Sequence, residues 1–117
     1  EDMSAEEIKE VLLPVHSKLT RLNFGRTWGN PFTKVITPET CVELNVPQYF
    51  EFVKEPMNLS WMKDKLKNAE YTSIDEYTKD ICLIRHNAQT FNRKGDAVFG
   101  FADDLYKVCY QELKKKG

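Results

Sequence analysis

The sequence predicts an all-α protein, a four-helix bundle with a long structured loop between its first and second helices. Three observations predict it. Apolar residues recur at steps of three and four along four stretches. Residues suited to capping stand at the start of each stretch. No stretch shows the sustained alternation of a strand. At 117 residues the chain is long enough to bury a core, and residues 1–117 read as a single domain, a fragment of a larger protein.

Ser4-Ala5-Glu6-Glu7 has the S-x-x-E form of a capping box and starts the first helix. Ile8, Val11, Leu12, Val15, Leu19 and Leu22 follow at helical spacing. Pro14 lies inside that run and lacks the N–H that would bond residue 10, so a kink or a late start is expected there. The periodicity on both sides favours the kink. The helix should end near residues 22–24, before Gly25.

From residue 25 to residue 57 no period is sustained, and Gly29, Pro31, Pro38, Pro47 and Pro56 interrupt the chain. Such long loops are uncommon and are usually functional or disordered. This one carries Phe32, Val35, Ile36, Leu44, Val46, Tyr49 and Phe50, too much apolar surface to leave in water. It should fold back as a wall, with short helical turns near residues 38–44 and 47–53.

Asn58 caps a short helix whose Leu59, Met62 and Leu66 point inward. Trp61 lies off that stripe and reads as a partly buried aromatic against a neighbouring helix. Ser73-Ile74-Asp75-Glu76 forms a second capping box. Ile74, Tyr77, Ile81, Ile84, Ala88 and Phe91 then make the cleanest amphipathic helix of the chain, terminating at Asn92. Asp96 can cap the last helix, with Val98, Phe101, Ala102, Leu105, Val108, Cys109 and Leu113 inside. Such stripes pack around a common core, and a bundle of this kind can hold a ligand at one end, beneath the loop.

Hydrophobic residues make up 41% and charged residues 30% of the chain, a balance of globular rather than disordered sequence. A formal net charge of −1 argues against a dedicated nucleic-acid binder. No apolar run is long enough to span a membrane. Cys41, Cys82 and Cys109 are odd in number and lack ligand spacing, which argues against zinc or a disulfide framework and suits a reducing compartment. His16 and His86 have no Ser, Cys or carboxylate partner in a recognisable motif, and both read as surface or half-buried. There is no glycine-rich phosphate loop and no carboxylate pair in an apolar setting. No cofactor, no metal and no enzymatic role are expected.

Polar groups do stand out at one end of the bundle: Tyr49 in the loop, and Asn87 and Asn92 around the turn before the last helix. An asparagine amide offers both donors and acceptors. Asn92 can serve locally, because a helix end leaves carbonyls unpaired.

The run Val46-Pro47-Gln48-Tyr49-Phe50-Glu51-Phe52-Val53-Lys54-Glu55-Pro56-Met57-Asn58-Leu59 resembles the bromodomain family's proline–x–tyrosine segment and its lysine–x–proline–methionine–aspartate–leucine motif. Asn87-Ala88-Gln89-Thr90-Phe91-Asn92 is similar to the family's asparagine followed five residues later by an aromatic–asparagine pair. The resemblance covers essentially the whole chain. It implies the family's left-handed four-helix bundle and its function, binding of acetyl-lysine in chromatin.

On that resemblance Asn92 is the acetyl-lysine anchor and Tyr49 holds a water bridging to the same carbonyl. Pro31 and Phe32 form the loop shelf, and Val98 takes the gatekeeper position. Leu44 and Val46 line the channel, together with one of Val35 and Ile36. Phe91 precedes the anchor, and Asn87 holds the loop backbone. The implied partners are acetylated histone peptides and other acetylated proteins, for a monomeric domain in the nucleus. The sequence departs from the family at Asn30, where tryptophan is common, with Trp28 two residues earlier. It departs again at Asn58 for aspartate and at Phe91 for tyrosine. The loop is also a few residues longer than usual. The alternative is a bromodomain-like scaffold for protein interaction with an idle pocket.

Overall fold

The computed structural model describes residues 3–27, 29–44 and 46–116. They contain four long helices, α1 (Ala5–Thr20), α3 (Leu59–Lys67), α4 (Ile74–Phe91) and α5 (Ala97–Lys116). The short α2 (Tyr49–Phe52) and a 3₁₀ turn (Pro31–Thr33) lie in the long connection between α1 and α3. The fold among the described residues is all-helical, as the periodicity predicts.

α1 starts where its capping box places it. Ser4 Oγ accepts from Glu7 N at 3.2 Å, and Glu7 Oε1 accepts from Ser4 N at 3.0 Å. Pro14 is exposed within this one helix, so the late start does not occur. The helix ends at Thr20, two residues short of the expected range. Asn30 accounts for the early stop: its Nδ2 donates to the carbonyls of Leu19 (2.9 Å) and Thr20 (3.3 Å), which a further turn of helix would otherwise engage.

The inner stripes meet in one core. Ile8, Leu12 and Leu19 of α1 pack with Leu59, Met62 and Leu66 of α3, Tyr77, Ile81 and Ile84 of α4, and Ala102, Leu105 and Cys109 of α5. Burial of each large aliphatic side chain contributes roughly 1.5–3 kcal/mol. Polar clasps set the register outside this core. Asp103 of α5 accepts at Oδ1 from Arg85 Nε (2.9 Å) and Gln89 Nε2 (2.8 Å) of α4. Asp80 Oδ2 of α4 accepts from Lys65 Nζ of α3 (2.7 Å) and from the Tyr71 hydroxyl (2.6 Å).

Three expectations need correction. His16 is neither on the surface nor half-buried but 2% exposed, with both ring nitrogens bonded, to the Tyr77 hydroxyl (2.7 Å) and the Leu59 carbonyl (2.9 Å). Ser73 caps α4 through Glu76 N, yet the Glu76 carboxylate turns to the Thr72 N–H and hydroxyl instead of closing the box on Ser73. Asp96 precedes α5, but its Oδ2 accepts from Arg93 N at 2.8 Å, which tightens the turn after α4 rather than capping forward.

The long connection is held to all four long helices. Asn30 binds it to α1, and Ser60 Oγ of α3 donates to the Thr33 carbonyl at 2.6 Å. Phe24 stacks on Phe101 of α5 at 4.7 Å between centroids and meets Phe32 edge-on at 5.8 Å. Asn87 of α4 donates from Nδ2 to the Glu55 carbonyl at 2.7 Å. Backbone bonds from Cys41 N to Thr37 O (2.9 Å) and Leu44 N to Thr40 O (3.0 Å) form the expected helical turn near residue 40. The chain here is a fixed wall facing α4.

Candidate binding site

Between that wall and the C-terminal half of α4 lies a cavity of about 470 Å³, within the range of small-ligand sites. Pro31, Phe32, Lys34 and Ile36 line it from the start of the loop, and Leu44, Val46 and Tyr49 from the middle. Met57 and Asn58 line it from the residues just before α3, Ile84, Ala88 and Phe91 from α4, Asn92 from its C-cap, and Val98 from α5. Most of this lining is apolar, and among the described residues no carboxylate belongs to it.

Asn92 ends α4. Its backbone is extended (φ −100°, ψ 160°), so the chain leaves the helix at this residue. Its backbone N–H and its Nδ2 both donate to the Ala88 carbonyl, each at 2.9 Å. A carbonyl can only accept, so this bond fixes the amide's orientation. One Nδ2 hydrogen is engaged there; the other, with Oδ1, remains available beside the cavity. The local capping role and an outward role therefore coexist in one side chain.

Tyr49 opens α2 and is buried, its ring against Phe50 (5.3 Å) and Phe91 (5.1 Å). Burial pushes its hydroxyl pKa up, so it stays a neutral O–H. That hydroxyl has no protein partner among the described residues. Every fully buried side-chain nitrogen or oxygen among them does have one, so the Tyr49 hydroxyl opens on space that water reaches. Two polar groups thus face one mostly apolar chamber.

Nine of the eleven candidate residues come together here: Pro31, Phe32, Ile36, Leu44, Val46, Tyr49, Phe91, Asn92 and Val98. Of the pair left open, Ile36 lines the cavity and Val35 does not. Asn87 also stays outside the lining, where its amide holds the Glu55 carbonyl. Trp28 lies outside the described residues. Sequence reasoning missed Lys34, Met57, Asn58, Ile84 and Ala88 as lining. The signal for Ile84 and Ala88 was available, since each lies a whole number of turns from Asn92 on α4. Among the described residues no group of His, Cys, Asp and Glu side chains is arranged to hold a metal ion, and no helix is long and apolar enough to cross a membrane.

A family model described as Bromodomain matches residues 24–104. The chain is similar to transcription factor GTE11 of Arabidopsis thaliana, 39% identical over 83 residues, which is 68% of this chain and 13% of that protein. It is 38% identical over 86 residues to the SWR1 complex bromodomain subunit bdf1 of Schizosaccharomyces pombe, covering 74% of this chain and 14% of that protein. Bromodomain-containing factor 1 of Candida albicans is 41% identical over 63 residues, 54% of this chain and 9% of that protein. The matched stretch is thus a small part of each relative's length.

Proposed function

The chain belongs to the bromodomain family, whose members are acetyl-lysine readers of chromatin factors, and on that premise we propose that it binds acetylated histone tails through the cavity beside Asn92. One observation carries the reading: two hydrogen-bonding groups, the Asn92 amide and the Tyr49 hydroxyl, open on a chamber lined mostly by apolar side chains. Acetylation leaves a small neutral amide on an aliphatic stem. The free Nδ2 hydrogen of Asn92 donates to the acetyl carbonyl. Tyr49 holds a water that bridges to the same oxygen. Phe32, Ile36, Leu44, Val46 and Val98 enclose the stem, with Pro31 at the shelf and Phe91 supporting Tyr49.

Discrimination against unmodified lysine follows from charge. Among the described residues no carboxylate lines the cavity, and the one charged residue that lines it is Lys34, a like charge. An ammonium would be desolvated without a partner, at a cost of several kcal/mol. A single acetyl-lysine is a small ligand, and its Kd should be on the order of tens to hundreds of micromolar. The relatives' names make one a transcription factor and another a bromodomain subunit of the SWR1 complex, which supports a nuclear site of action; we take the domain to act there as a monomeric reading module.

Asn92→Ala tests this. Titration with acetylated histone peptides should show affinity falling about thirtyfold or more, the loss of roughly 2 kcal/mol from an unpaired carbonyl. Equal binding by a folded Asn92→Ala protein would remove the anchor assignment. Failure of the parent protein to bind any acetylated peptide would favour the scaffold role instead.

A further inference from the structure

We propose that Asn58 makes the floor of the cavity a second hydrogen-bonding subsite, which selects acyl-lysines carrying an acceptor oxygen beyond the amide. The proposal rests on the acetyl-lysine reading above and extends it to the substituent on the acyl chain.

Asn58 is the N-cap of α3, and its Oδ1 accepts from Trp61 N at 2.8 Å. A backbone N–H can only donate, so this bond fixes which end of the amide is oxygen. Nδ2 is therefore turned away from the helix. It has no hydrogen-bond partner among the described residues, although Asn58 is only 4% exposed. Every fully buried side-chain nitrogen or oxygen among those residues is paired, so this Nδ2 must open on space that water reaches. Asn58 lines the cavity, and the cavity supplies that space.

Of the lining, Phe32, Tyr49, Asn58, Ile84 and Ala88 are buried, whereas Pro31, Ile36, Leu44, Val46, Asn92 and Val98 are part-exposed. We infer that the buried set forms the floor and the part-exposed set the walls and mouth. Ala88 and Ile84 lie one and about two turns before Asn92, roughly 6 and 12 Å along the helix axis. A carbonyl anchored on Asn92 thus leaves its acyl chain directed at the floor. An acetyl methyl brings no acceptor there, and the Asn58 amide takes water in a polar, roomy chamber. A chain two carbons longer with a ketone at its third carbon brings an acceptor to that donor. A plain alkyl chain of the same length displaces the water and leaves the amide unpaired.

Three histone-tail peptides identical except for the lysine acyl group (acetyl, butanoyl and 3-oxobutanoyl) test this by calorimetric titration of the parent protein and Asn58→Asp. Aspartate keeps a capping oxygen for Trp61 N and removes the donor. The parent should bind the 3-oxobutanoyl peptide about two- to tenfold tighter than the butanoyl peptide, the effect of one neutral hydrogen bond. In Asn58→Asp that ratio should fall to one or below. In the parent, the Asn58 side-chain amide signal in a ¹⁵N–¹H spectrum should move with the 3-oxobutanoyl peptide and not become paired with the butanoyl one. That measurement decides the matter if Asn58→Asp does not fold. Equal affinities in the parent, an unchanged ratio in folded Asn58→Asp, or an unmoved amide signal overturns the subsite. Acetyl binding without keto preference overturns the subsite alone; absence of binding to all three peptides overturns the acetyl-lysine reading and the subsite with it.

Discussion

His16 and Asn92 are both polar side chains set among apolar helices, and their hydrogen bonds are arranged in opposite ways. At His16 everything is paired inside the protein. The Leu59 carbonyl can only accept, so Nε2 carries the ring proton, and Nδ1 accepts from the Tyr77 hydroxyl. Tyr77 in turn packs edge-on against Tyr71, 5.5 Å away. At the cavity, by contrast, one Asn92 hydrogen, the Tyr49 hydroxyl and the Asn58 Nδ2 have no protein partner among the described residues. A closed centre specifies the packing of α1, α3 and α4. An open centre leaves its capacity for something that arrives from solution. The difference separates stability from recognition within one small bundle.

The largest effect that tests this contrast is on stability. His16→Ala leaves the Tyr77 hydroxyl without its partner in the core and opens a cavity, a loss of about 3 kcal/mol or more in denaturant titrations. Peptide affinity of the surviving folded protein should be unchanged. Asn92→Ala should do the reverse, with peptide binding lost and stability reduced by about 1 kcal/mol or less, the value of one terminal side-chain bond. If His16→Ala abolished binding in folded protein, the two centres would be coupled and the division wrong.

Next in size is a pH effect confined to the closed centre. Burial holds the His16 imidazole below its ordinary pKa of 6.5, with Lys63 adding to the fall and the Leu59 carbonyl opposing it. The unfolded chain therefore binds the proton more readily than the folded one. Stability from this group is fully present above about pH 6.5 and is lost as pH falls below that value toward the folded pKa. The slope reaches at most about 1.4 kcal/mol per pH unit. Urea titrations between pH 7.5 and 5 should show it, and His16→Gln should flatten it. An identical slope in His16→Gln would assign the effect to other groups.

The same contrast explains what the sequence could reveal. The four stripes were legible because periodicity reports burial directly, and the loop wall because its apolar content is too large to leave in water. Asn92 and Tyr49 were singled out because they stand in recognisable motifs. His16 was misread on residue type: it lies four residues after Leu12 and three before Leu19, a spacing that faces inward, yet histidine alone suggests the surface. Its partners are 43 and 61 residues away in sequence, and no local pattern announces them. Asn58 was legible as a cap and not as cavity lining, because one amide performs both roles through different atoms. Asn30 was seen only as a departure from the family's tryptophan. Its ties to Leu19 and Thr20 depend on the loop returning to the end of α1.

The smallest effect concerns the mouth of the open centre. Lys34 is exposed, is the one charged side chain lining the cavity, and its ammonium has no partner among the described residues. A solvent-exposed ion pair is worth about 0.2–1 kcal/mol. An acetylated peptide with glutamate beside the acetyl-lysine should therefore bind about two- to fivefold tighter than one with lysine there, at physiological salt. Lys34→Glu should reverse that order. Near 1 M salt the screening length falls to about 3 Å, and the preference should vanish while binding of a neutral-flank peptide persists. The closed centre offers a control, because its neutral hydrogen bonds are shielded from solvent and the stability loss in His16→Ala should be the same at both salt concentrations. A glutamate preference that survives Lys34→Glu would move the charge selection to another part of the rim and leave the mouth electrically silent.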